Sequence, residues 1–140
     1  MDIVFAQIAD YANVSREGKL NLMGVFDAVN AKSFPTVHPQ MHLVVRFELS
    51  RHEKGKTHDV EIQFVDEDGK KLFTISSQVG IPANAAVATP TIHSDQIIAI
   101  NGLLLPKAGN YQFVILIDKN HVKNKEVRLI ARQIPAAVNK

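Results

Sequence analysis

Six histidines, fourteen acidic side chains and no cysteine define the chemistry open to this 140-residue chain. Without Cys there is no thiolate nucleophile, disulfide, zinc knuckle or iron–sulfur ligation. The histidines are His38, His42, His52, His58, His93 and His121. A metal site needs three or more ligands converging on one point, with partners behind them. His38 and His42 are spaced to share one face only on a helix, and Pro39 between them argues against a helix. His42 falls on the polar side of an alternating segment beside Arg46 and Glu48, while His52 and His58 flank a lysine-rich turn. The expectation is six solvated or rim histidines and no metal.

Other chemical motifs are equally sparse. Asp66-Glu67-Asp68-Gly69 is acidic like a calcium loop, but its Gly comes too early, Lys70 and Lys71 follow, and no Glu closes it. It reads as a hairpin tip. In His93-Ser94-Asp95 neighbouring side chains point apart, so the tripeptide is no triad, and no Gly-x-Ser-x-Gly elbow occurs. Seven scattered glycines form neither a dinucleotide fingerprint nor a Walker loop. Carboxylate pairs of the glycosidase kind converge only in space, and with two Tyr, seven Phe and no Trp the chain has few rings for sugars. No catalytic residue and no cofactor is assigned, and the chain reads as a non-enzyme.

Charge narrows the partners. Sixteen Lys+Arg against fourteen Asp+Glu leave a formal +2. The basic stretch Lys119–Lys125 has no aromatic residues interleaved, so it reads as a solvated loop, and nucleic acid is disfavoured. No apolar run approaches the roughly 18 residues of a membrane span. Asp2, Gln7 and Asp10 interrupt what a secretory leader would need, and neither a glycine after the initiator Met nor a Cys is present for lipidation. Asn13-Val14-Ser15 is then a chance glycosylation match. The expected compartment is the cytoplasm.

The elements that must position any site are strands. The length suits one domain spanning 1–140. Met41, Leu43, Val45, Phe47 and Leu49 alternate with His42, Arg46 and Glu48, leaving Val44 as the apolar exception. Val60, Ile62 and Phe64 alternate likewise, as do Val127, Leu129 and Ala131; Leu72–Val79 puts Phe73, Ile75 and Val79 on one side. Ile3–Ala9 reads as a strand with Ile3, Phe5 and Ala9 inward. Leu20–Asn30 reads as two short strands meeting near Gly24. Two prolines make Phe34–Pro39 a poor ladder segment. Gly80–Asp95 reads as a long crossover with a helical turn near Asn84–Val87, and strands resume at Ile97–Leu105 and Tyr111–Ile117. The predicted fold is an all-β, two-sheet sandwich of eight or nine strands, with Greek-key or jelly-roll connections, an immunoglobulin-like order fitting as well.

Two strands are too apolar for that plan. Tyr111, Phe113, Ile115 and Ile117 face one way, yet Val114 and Leu116 on the other side are apolar too, and Ile97–Leu105 behaves similarly. Either a loop covers that outer face or Val114 and Leu116 form a subunit interface.

Asp10-Tyr11-Ala12-Asn13 followed by Gly18-Lys19-Leu20-Asn21 and Gly24-Val25-Phe26-Asp27 resembles a family of small, uncharacterised prokaryotic proteins. Phe34-Pro35, His38-Pro39, the Val65–Gly69 hairpin, Asn101-Gly102-Leu103, Pro106 and Gly109-Asn110-Tyr111 match its recurring elements over residues 3–134. The resemblance implies a cytoplasmic all-β single domain and carries no activity or site residue. Turn-type residues Asp10, Asn13, Ser15 and Gly18 suggest a loop that either closes one end of the sandwich or is a recognition loop bearing Tyr11, Arg16 and Glu17. The functional expectation is a protein-interaction or assembly module, with a homo-oligomer or a protein partner. The alternative is a small-ligand or carbohydrate-binding module using end loops, and a hydrolase whose site converges only in three dimensions ranks third.

Overall fold

A computed structural model describes residues 1–135. Ten strands follow in order: β1 (Asp2–Val14), β2 (Leu20–Val25), β3 (Ala28–Ala31), β4 (Thr36–Ser50), β5 (Thr57–Val65), β6 (Lys71–Gly80), β7 (Thr91–Leu105), β8 (Gly109–Ile117), β9 (Asn120–His121) and β10 (Val127–Gln133). The only helical element among the described residues is a 3-10 turn at Arg51–Glu53. None of these elements is a helix long and apolar enough to cross a membrane. One sheet has the order β2-β1-β4-β7; the other runs β3-β10-β8-β5-β6, with the short β9 against β8. The described pairs are antiparallel except β3 with β10. This is the expected all-β sandwich.

The alternating residues supply the core. Met41, Leu43, Val45, Phe47 and Leu49 of β4 meet Val60, Ile62 and Phe64 of β5, Phe113 and Ile115 of β8, and Leu129 of β10. Phe64 is fully buried, with ring centroids 5.1 Å from Phe73, 5.3 Å from Tyr111 and 4.6 Å from Phe113. Each such side chain contributes about 1.5–3 kcal/mol by leaving water.

Several local expectations need correction. A bulge between Ile3 and Phe5 shifts the β1 register against β4. Ile3 stays inward, but Phe5 then lies opposite Arg46 and Ala9 opposite His42, both on the outer face, and Ile8 takes the inward place. The segment Asp10–Asn21 is mostly strand: β1 runs to Val14, and only a tight turn at Ser15–Gly18 remains, closed by the Gly18 amide donating to the Ser15 carbonyl at 2.9 Å. Leu20–Asn30 does hold two short strands, and their break, after Val25, lies next to Gly24 as expected.

The crossover is shorter than expected. β7 begins at Thr91, because Ser94 and Gln96 face inward as polar residues; Gln96 exchanges hydrogen bonds of 3.1–3.2 Å with Ser77 of β6. The helical turn near Asn84 is instead a single turn closed by the Ala85 amide on the Pro82 carbonyl. Pro39 lies inside β4 despite lacking a donor. Its register partner across the β4–β7 ladder is Gly102, whose φ of +70° is open chiefly to glycine. On one side of that point Met41 and Ile100 face the core; on the other Leu103 and Leu105 do, leaving Val37 and Leu104 outward. The pairing register itself does not slip.

Candidate functional site

The outer face of the β2-β1-β4-β7 sheet is built from cross-strand pairs. Ala9 pairs with Val25, Tyr11 with Met23, and Asn13 with Asn21, whose side chains share a 3.0 Å hydrogen bond. Since Ala9 lies opposite the outward His42, this whole row faces away from the core. Tyr11 is 48% exposed, Met23 64% and Val25 56%. Beyond the Pro39–Gly102 pair the same face carries Val37 and Leu104, register partners each 54% exposed. Five of the eight large apolar side chains exposed among the described residues therefore share one sheet face.

Polar groups frame this surface. His42 is 8% exposed, its ring 5.3 Å from Tyr11, and its Nδ1 accepts the Ala12 amide at 2.9 Å. That bond belongs to an imidazole with its proton on Nε2. Farther along, Arg46 grips Asp95 through two bonds of 2.7 and 2.9 Å across the β4–β7 ladder. This bidentate pair holds the Arg46 guanidinium above its ordinary pKa. Between His42 and Arg46, Val44 is fully buried on the outer side, so the centre of the face is apolar and closely covered by its own neighbours.

The residues singled out from the sequence separate in space. Tyr11 is on this face, but as a strand residue. Arg16 and Glu17 sit exposed at the β1–β2 turn. Val114 and Leu116 belong to the outer face of the other sheet, where they are half-buried opposite Gln63 and Glu61, with His121 on the far side of Leu116. Met23, Val25, Val37 and Leu104 were not singled out; the alternation of β2 could have flagged the first two.

The histidines also divide. His38 packs at 5.5 Å on Phe26, and His52 is exposed. His93 and His121 lie 3.5 and 3.0 Å from Glu48 and Glu126. His42 and His58 depart from the expected solvated state. His58 bridges two carboxylates, with Nδ1 at 2.7 Å from Asp118 and Nε2 at 2.8 Å from Glu53. Glu53 Oε1 also takes the Met1 ammonium at 2.8 Å, and Oε2 the Ser50 amide at 2.7 Å. Burial raises the Glu53 carboxyl, but bonds from Met1, Ser50 and His58 outweigh it and leave the pKa below the usual value. Asp118 is lowered by its bonds to His58 and the Asp59 amide. With both ring nitrogens engaged, His58 is a clasp joining three segments. Among the described residues no three His, Asp or Glu side chains gather as metal ligands. In His93-Ser94-Asp95 the Ser faces Phe47 and the core, whereas Asp95 faces out toward Arg46.

Two clefts remain. One of about 450 Å³ lies over the outer face of β8 and β10, with Asp66 and Glu67 of the β5–β6 turn on one wall and Arg128 and Gln112 on the other. Asp66 itself holds its turn, its Oδ1 accepting the amides of Asp68 and Lys70 at 3.0 and 2.9 Å. The second, about 650 Å³, borders the His58 clasp.

Residues 4–130 match a family model, that of the family of unknown function DUF6941. The chain belongs to DUF6941. The matched span takes in the whole open sheet face, from Tyr11 to Leu104, and both clefts save for the Met1–Ile3 edge of the second. No curated protein matches this DUF6941 chain in sequence.

Proposed function

We propose that this DUF6941 protein is a non-enzymatic protein-interaction or assembly module of the prokaryotic cytoplasm. The observation that carries the reading is the open face of the four-stranded sheet, where Tyr11, Met23, Val25, Val37 and Leu104 stand in water together. Exposed apolar side chains clustered on one sheet face mark interaction sites. Tyr11 suits such a role because it offers large, stiff contact area with a polar tip. Val114 and Leu116 form a lesser candidate surface on the opposite sheet, half-withdrawn beside Glu61 and Gln63. The test is the triple variant Tyr11→Ser, Met23→Ser, Val25→Ser used as bait beside wild type in native cell extract. The reading expects a partner or self-association lost in the variant while the melting temperature holds; identical capture by both baits overturns it.

The second reading, a small-ligand or carbohydrate-binding module, draws on the cleft lined by the opposite charges Asp66, Glu67 and Arg128 together with Asn110, Gln112 and Ile130. Thermal shifts with sugars and amino acids that vanish in Arg128→Ala would favour it.

A further inference from the structure

We infer that β2 is a self-association edge, pairing antiparallel with β2 of a second copy so that two four-stranded sheets become one of eight strands. This rests on the interaction reading above and names its partner. β2 lies at the end of its sheet and pairs only with β1 among the described residues, so its other side presents unpaired backbone donors and acceptors. In the alternating ladder with β1, that side belongs to Leu20 and Leu22. Folded proteins blunt such edges with charge, proline or brevity; β3 has only four residues, while residues 72–80 of β6 and 96–105 of β7 are uncharged as β2 is, so β2 is set apart by the charges at its two ends and the exposed Met23. Leu20–Phe26 contains neither charge nor proline.

The charges at its ends specify the orientation. Lys19 precedes the uncharged run and Asp27 follows it, both exposed and without an ion-pair partner among the described residues. Antiparallel pairing about Met23 brings the lysine end of each copy to the aspartate end of the other, twice over; parallel pairing would set like charges together. The same register sets Met23 against Met23 and continues the Tyr11–Met23 row across the junction as one apolar stripe. A Cβ at Gly24 would lie 2.5 Å from the Asp10 carboxylate of β1, so with φ at +70° this position of β2 is held to glycine.

The experiment is analytical ultracentrifugation of the full, untagged chain, with amide hydrogen exchange at low and high micromolar concentration. The expected result is a dimer whose Leu20 and Leu22 amides slow on concentration. Met23→Lys sets lysine against lysine and removes the dimer, with the fold kept because Met23 is 64% exposed. Lys19→Glu weakens the dimer about tenfold, and Lys19→Glu with Asp27→Lys restores it. A monomer at all concentrations, or a dimer untouched by Met23→Lys but broken by Leu116→Lys, overturns the β2 pairing. Either outcome is separable from the interaction reading, which fails only if the triple serine variant captures as wild type does.

Discussion

The two sheets bury the same kinds of side chain and differ in what they show to water. On the four-stranded sheet the outward Tyr11, Met23 and Val25 stand beside one another on the β1–β2 hairpin, and each remains about half exposed or more. On the larger sheet the outward Val114 and Leu116 are flanked in register by Gln63, Glu61 and His121, whose stems take up part of their surface. The number of apolar residues on a strand is therefore a poor guide to open surface. What decides is the residue across the ladder, and whether the strand sits inside the sheet or at its edge.

The comparison can be broken first at what both sheets share. Phe64→Ala removes the ring at the centre of the aromatic cluster and is expected to cost about 4 kcal/mol in denaturant unfolding, an effect on the whole sandwich. A charge placed on each outer face then separates the two. Val114→Lys should cost about 1.5 kcal/mol, since the half-buried site must accommodate an ammonium, whereas Met23→Lys should stay within about 0.5 kcal/mol of wild type at dilution. Equal costs would erase the distinction. Asp95→Ala, which frees Arg46 on the outer face of the smaller sheet, is expected to lose about 1 kcal/mol by the same measurement.

The smallest expected effect is pH-dependent and belongs to the His58 clasp. Glu53 and Asp118 have folded pKa values below their ordinary ones, so the folded state binds protons less readily than the unfolded chain. Their stabilisation is present above the ordinary carboxylate range, about pH 4, and is lost as pH falls through the lowered folded values. Melting scans from about pH 6 to pH 3 should show Glu53→Gln with a shallower decline than wild type. A parallel decline would mean that Met1, Ser50 and His58 do not favour the Glu53 carboxylate.

Strands such as β4, β5 and β10 were legible because one side is aliphatic and the other polar, the period a half-buried sheet imposes. The start of β7 was not, because Ser94 and Gln96 point inward, and Gln96 is satisfied by Ser77 instead of burying carbon. At Asp10–Asn21 the turn is shorter than its residues suggested: Ser15 Oγ does accept the nearby Lys19 amide, but Asn13 and Asn21 bond to each other across a ladder. The candidate face was half legible. Tyr11 was found for its chemistry, but Val37 and Leu104 depend on a change of side at Pro39 and Gly102 that periodicity cannot anticipate.

That change of side gives the β4–β7 ribbon a heredity of its own. Positions 39 and 102 lie far apart in the chain but behave as one character, since both strands must turn over at the same rung. A β-branched residue at 102, unable to hold φ near +70°, would do more than strain one rung. It would ask Leu103 and Leu105 to trade places with Leu104, and so exchange the lining of the core for the lining of the open face.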